Sequence, residues 1–165
     1  MAETLQSSLP DETVWSSTNP HYKILIDLDV NCVFIKHTNK LTLDLIIERY
    51  EDIFSNSLMR PGLNYFLSYS ETSNEMSPDH IRDLANYLKT KKDIRGQCKH
   101  AVLCYSNVGY GYSRMLDSLY NAKQAVENTE VSTMIFNVPN FKNPEEPYKK
   151  GLIWLGINPS YSNPF

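Results

Sequence analysis

Cysteine is scarce: Cys32, Cys98 and Cys104 are the only three in 165 residues. The count is odd, no pair forms a Cys-x-x-Cys, and no histidine stands at zinc-ligand spacing. Neither a disulfide frame nor a structural zinc site is indicated, and the three read as reduced thiols of a cytoplasmic protein. Histidine is almost as sparse. His21, His37, His80 and His100 have no cysteine or acid at ligand spacing, and no Ser-His-Asp or Cys-His order suggests itself. No metal and no cofactor are expected. An excess of basic charge is missing too, with 16 Lys and Arg against 19 Asp and Glu and a net charge of -3. No basic patch alternates with stacking aromatics, so the footprint of a nucleic-acid binder is absent. The local basic cluster at 89–92 falls where a helix ends. Apolar runs are short of membrane-spanning length, and the opening MAETLQSSLP is too polar for a signal peptide, so no membrane association is expected.

What is present is organised around residues 63–96, LNYFLSYSETSNEMSPDHIRDLANYLKTKKDIRG. An apolar run at 63–69, set off by Pro61-Gly62, has the length of a buried strand. A polar loop at 70–76 follows. Ser77-Pro78-Asp79 then combines an N-cap hydroxyl, a proline at the first helical position and an acid beside the positive helix end. Ile81, Leu84, Ala85 and Leu88 form one apolar stripe, Lys89, Lys91 and Lys92 fall in the last turns, and Gly96 ends the helix.

The flanking chain extends this unit. Residues 1–19 lack periodicity and read as a flexible arm, with Val14-Trp15 as a lone apolar anchor. From Tyr22, YKILIDLD and CVFIKHT are two strand-like runs joined by Asp29-Val30-Asn31, a β-hairpin. A helix is expected over 42–57, with Leu43, Ile46, Ile47, Tyr50 and Phe54 on one face and acids on the other. Strands are expected at 101–105 and 131–138. Between them lies a helix with Tyr112, Leu116, Leu119 and Val126 on its stripe. A short helix at 143–154 carries Pro147 in its first turn, and 158–165 reads as a disordered or loosely packed tail. The order is β-β-α-β-α-β-α-β-α. Alternating strands and helices imply an α/β fold with a largely parallel sheet, to which the opening hairpin adds an antiparallel edge. One domain over 20–157 accommodates all of it.

The segments RPGLNYFLSYSE, EMSPDHIRDLANYL, HAVLCYSNVGYGYSRML and IFNV…GLIWLG, with this order of elements, resemble the STAS domain. That fold is shared by sulfate-transporter tails and anti-sigma-factor antagonists, and the chain is most similar to small uncharacterised bacterial STAS-like proteins. The resemblance runs from about Tyr22 to Ile157. It implies a mixed sheet and, as in the antagonists, a partner surface where the central strand meets the next helix. There an Asp-Ser-Ser sequence carries a phosphorylatable serine. Here the positions read Glu75-Met76-Ser77-Pro78-Asp79, so the acid-serine-serine pattern is lost. Ser77 remains a candidate phosphosite, because a dianion at a helix N-terminus is well accommodated.

Two junctions are therefore candidate binding segments. The first offers Ser70, Met76, Ser77 and Asp79. The second, 106–114, offers Ser106, Asn107, Gly109, Tyr110, Gly111 and Arg114 between a strand's carboxyl end and a helix, where open α/β sheets place ligands. Free N–H groups, the glycines and Arg114 suit a small anion, although Gly-x-Gly lacks the third glycine of a dinucleotide fingerprint and is no Walker loop. The tyrosines suit a protein or a lipidic ligand. If the strands are parallel neighbours, both junctions open on one edge. The enzymatic alternative rests on ILIDLD, which resembles the first motif of haloacid-dehalogenase-type phosphatases, with Asp27 as nucleophile, Asp29 handling the proton and Ser106 as the second motif. That chemistry needs a later acidic pair for Mg²⁺, and Asn137-Val138-Pro139-Asn140 offers none. The expected function is a non-enzymatic binding or regulatory module for a protein partner or a small anionic or lipidic ligand. Self-association through exposed tyrosines is a third reading.

Overall fold

The computed structural model describes residues 12–69, 72–122 and 131–165. Among the described residues eight strands and five α-helices follow one another: β1 (Val14–Thr18), β2 (Tyr22–Asp27), β3 (Cys32–His37), β4 (Asn39–Leu41), α1 (Leu43–Phe54), β5 (Asn64–Tyr69), β6 (Thr72–Asn74), α2 (Pro78–Thr90), α3 (Lys92–Arg95), β7 (Cys98–Cys104), α4 (Asn107–Asn121), β8 (Val131–Asn137) and α5 (Glu145–Trp154). Six strands form one sheet in the order β1-β2-β3-β5-β7-β8, and β4 and β6 pair separately beside it. β1, β2 and β3 are antiparallel, whereas β3, β5, β7 and β8 run parallel. The expected β-β-α-β-α-β-α-β-α order is present, with β1, β4, β6 and α3 added.

The parallel strands step across the sheet in one direction. Crossovers of one hand therefore place α1, α2 and α4 on the same face. The strand residues alternate to match. Val33, Ile35, Tyr65, Leu67, Val102 and Cys104 pack with Ile46, Tyr50, Ile81, Leu84 and Leu88 beneath those helices. Cys32, Phe34, Phe66, Ala101, Leu103 and Phe136 point to the opposite face, which α5 covers with Leu152 and Leu155. This second face needs a close approach. A Cβ on Gly151 would lie 2.7 Å from Phe66 Cε2, so a glycine lets α5 settle on the sheet.

The helix starts follow the sequence signals. Thr42 Oγ1 accepts from Leu45 N at 3.3 Å at the start of α1. Ser77 caps α2, and its reciprocal partner is His80, whose Nδ1 accepts from Ser77 N at 3.3 Å in the place usually taken by a glutamate. In α5 Pro147 falls in the first turn, where its missing N–H costs no helical bond.

Two expectations are corrected. Residues 14–18 do not belong to a flexible arm but form the edge strand β1, in register from Val14 opposite Asp27 to Thr18 opposite Lys23. The open edge of β2 supplies the ladder bonds, and Trp15 packs against the larger core. Nor is the tail at 158–165 disordered or loose. Tyr161 stacks on Phe34 with ring centroids 5.0 Å apart, and its hydroxyl donates to Asp27 Oδ2 at 2.7 Å. Of the expected helix stripe, Val126 lies outside the described residues, as do residues 1–11 of the arm.

The larger core also holds two arginines without carboxylates. Arg49 Nη1 donates to His37 Nδ1 at 3.4 Å while His37 Nε2 donates to Lys40 O at 2.5 Å, which sets the neutral tautomer. Arg95 Nη2 donates to His100 Nε2 at 2.8 Å. Each guanidinium also lies over tyrosine rings, Arg49 over Tyr50 and Arg95 over Tyr120, both at 4.8 Å. Burial, and then the charge of Arg49, pushes His37 down to about 4. His100 is held well below the usual imidazole range by burial and Arg95.

Candidate functional site

The carboxyl ends of β5 and β7 are adjacent, so the two junctions open on one edge as their parallel pairing requires. Met76, Ser106, Gly109 and Tyr112 come together around a crevice of about 40 Å³, closed below by Cys104 and Leu84. Most of the candidate polar groups at this edge already have a structural task, whereas Asn74 Nδ2, which lines the crevice, is buried without a hydrogen-bond partner among the described residues. Ser77 Oγ accepts from His80 N at 3.3 Å, and Ser106 Oγ accepts from Gly109 N at 3.0 Å. Asn107 Oδ1 accepts from Asn137 Nδ2 at 2.7 Å, tying the start of α4 to the end of β8. Asp79 pairs with Arg82 within α2. Arg114 is exposed and lies over the Tyr110 ring at 5.9 Å. Gly111 faces open space, so no close backbone approach demands it. Ser70 lies outside the described residues.

Among exposed polar groups, this edge also shows two large apolar side chains to solvent. Val108 is 57% exposed and Tyr105, which lines the crevice, 41%, both where β7 turns into α4. Cys104 beneath them is buried, with Sγ 3.3 Å from Ser113 Oγ, and burial pushes its thiol up to about 11. Cys32 and Cys98 are free and buried as well.

Asp27 and Asp29 lie at the other edge. Asp27 is opposite Cys32, which is level with Asn64 at the start of β5, whereas Ser106 follows the far end of β7. The two aspartates serve the hairpin: Asp27 Oδ1 accepts from Asp29 N at 3.0 Å and Asp29 Oδ2 from Thr13 Oγ1 at 3.2 Å. The phosphatase constellation is thus not brought together. Among the described residues no group of three His, Cys, Asp or Glu side chains is placed to hold a metal ion. No helix among them is long and apolar enough to cross a membrane.

A larger concavity, of about 500 Å³, lies on the α5 face of the same sheet edge. Its floor comes from strand alternation. Phe34, Phe66 and Leu103 lie deep, and Lys36, Ser68 and Tyr105 lie one step further toward the carboxyl ends. The first turn of α5 and the tail at 159–165 form the walls. Phe34 and Phe66 have ring centroids 5.9 Å apart, and Tyr148 tilts against Phe66 at 5.1 Å. Lysine at the rim is unequally partnered: Lys149 meets Glu145 at 3.9 Å, but Lys36, half-buried, meets no carboxylate among the described residues. Sequence reasoning missed this site because α5 and the tail contribute walls from 110 residues further along. The one local sign was the repeated step from an aromatic or aliphatic residue to a polar one at the strand ends.

No protein-family model matches the chain, and no curated protein sequence matches it significantly. Among solved structures it is similar to an uncharacterised protein of the DUF3478 family from Shewanella loihica, described as having a SpoIIAA-like fold. That match has 11% identity, covers 86% of this chain and 91% of the other, and has a TM-score of 0.39. A superposition this loose transfers nothing about a site. The strand order speaks for itself. The fold is a mixed six-stranded sheet with helices on both faces, an α/β arrangement.

Proposed function

We propose that the protein is a non-enzymatic binding or regulatory module that engages a protein partner through the edge built by the 72–79 and 106–114 segments. The observation that supports this most is the exposure of Val108 and Tyr105 where β7 turns into α4, next to the crevice that Tyr105 lines together with Met76. The crevice is small, and the Ser106 hydroxyl that lines it is occupied as the cap of α4, which favours a surface contact over an enclosed anion. Exposed apolar side chains rimmed by Asp79 and Arg114 have the make-up of an interface. A reduced, cytoplasmic setting is in keeping with three buried free thiols.

The test is a pull-down from native lysate with the wild type, Val108→Asp and Gly111→Arg, followed by titration of the purified candidate. Both positions are exposed on the first turns of α4, so the fold should survive, as circular dichroism would check. A protein retained by the wild type and released by both variants is the expected result. Equal retention by all three would overturn the proposal. Turnover of a generic phosphate ester with Mg²⁺, lost in Asp27→Asn, would overturn its non-enzymatic part.

A further inference from the structure

We propose that the concavity on the α5 face binds a small amphipathic anion, an apolar or aromatic body carrying one carboxylate or phosphate-like group. The site is separate from the partner surface and does not depend on it, although Tyr105 borders both. Three observations converge. The volume, about 500 Å³, is that of a small-molecule site rather than of a packing defect. The chemistry is graded along one direction: the stacked pair Phe34 and Phe66 lies at depth, and Lys36 and Ser68 stand at the mouth on the same two strands. The charge is unbalanced. Glu145 offsets Lys149 across 3.9 Å, which leaves Lys36, a half-buried residue, without an acid among the described residues. A cation at the mouth of a cavity walled by aromatic side chains is stabilised by an anion whose apolar body lies along those walls.

The cavity suits a free amphiphile because α5 and the 159–165 segment wall it on two sides, leaving no flat face for a bilayer. The head group would accept from Lys36 Nζ and Ser68 Oγ, and the body would lie along the wall that Tyr148 and Tyr161 form. Tyr161 is held by its hydrogen bond to Asp27 and Tyr148 by its bond to the Tyr161 carbonyl at 3.3 Å, so these walls are in place before a ligand arrives.

The experiment uses the full chain with anilinonaphthalene sulfonate as a fluorescent probe, displaced by decanoate or by decanol. Saturable one-to-one binding is expected, with decanoate displacing the probe about tenfold better than decanol. Lys36→Gln should weaken decanoate about tenfold and leave decanol unchanged, and Ser68→Trp should abolish both by filling the mouth. In the wild type, amide shifts on adding decanoate should concentrate at Lys36, Ser68, Tyr105 and Lys149, a reading that needs no variant to fold. Absence of saturable binding, equal affinity for decanol, or shifts confined to the 106–114 junction would each overturn the proposal. So would capture by phosphatidylglycerol vesicles without any binding of free decanoate.

Discussion

Single residues decide how closely the layers meet. Gly151 is the clearest case, because a methyl group there would press on Phe66 at 2.7 Å in a packed face. Alanine is the better helix former by about 1 kcal/mol, yet overpacking costs typically 1–3 kcal/mol. Gly151→Ala should therefore destabilise by about 1 kcal/mol, read as a lower urea midpoint. A raised midpoint would show that α5 moves away freely. Ser77 presents the opposite situation, a hydroxyl whose work is local. Ser77→Ala removes the cap of α2 and should cost about 1 kcal/mol, with faster amide exchange confined to the first turn of that helix. His80 in the reciprocal position was not legible as a cap partner, since the usual signature has Glu or Gln there.

At the scale of elements, the C-terminal segment acts as part of the second core rather than as a tail. Tyr161 covers Phe34, itself 1% exposed, and reaches Asp27 across the sheet face. Tyr161→Ala loses a stacked ring and a hydrogen bond to a carboxylate, and should cost about 2–4 kcal/mol in chemical denaturation. Tyr161→Phe, which keeps the ring, should cost about 1–2 kcal/mol, so the difference between the variants measures the stacking. Should both leave the midpoint unchanged, the segment would not be part of the folded core. The strands and main helices were legible because their periodicities are strong and their caps are explicit. β1 and the tail were not, since VWSST and NPSYSNPF are ordered by what they lie against: an open strand edge in one case, and the face left by crossovers of one hand in the other.

The whole molecule carries its buried charge in an unusual form, with neutral histidines rather than acids facing two guanidiniums. His37 titrates near 4 in the fold and near 6.5 when unfolded. Between those values the unfolded chain binds the additional proton, so stability falls as pH drops from about 6.5 to about 4 and levels off below. The loss from His37 alone is on the order of 3 kcal/mol, and His100 acts in the same direction. Urea midpoints measured from pH 7 to pH 4 should show this decline, and His37→Gln should reduce its slope. A flat profile would mean that the imidazoles are protonated inside the fold. Burying Arg49 and Arg95 also sets the sheet against α1 and α3 at defined points, since each guanidinium meets one histidine from a strand.

By itself the sequence determined the alternation of strands and helices and the largely parallel sense of the sheet, while the pairing of β5 with β7 decided that the two junctions adjoin. The alternation and the parallel sense follow from local periodicity, capping and the handedness of crossovers. Asp27 and Asp29, read in isolation, suggested chemistry. Their placement at the amino edge, opposite Ser106, is a matter of which strand end faces which, and only the assembled sheet decides that. The same holds for the concavity on the α5 face. Phe34 and Phe66 look like ordinary core residues, and Lys36 like an ordinary surface lysine, until α5 and Tyr161 arrive from the far end of the chain to wall them in. Contacts between residues distant in sequence leave no periodic trace. The core was therefore legible in outline, while the place where it stays open was settled by tertiary packing.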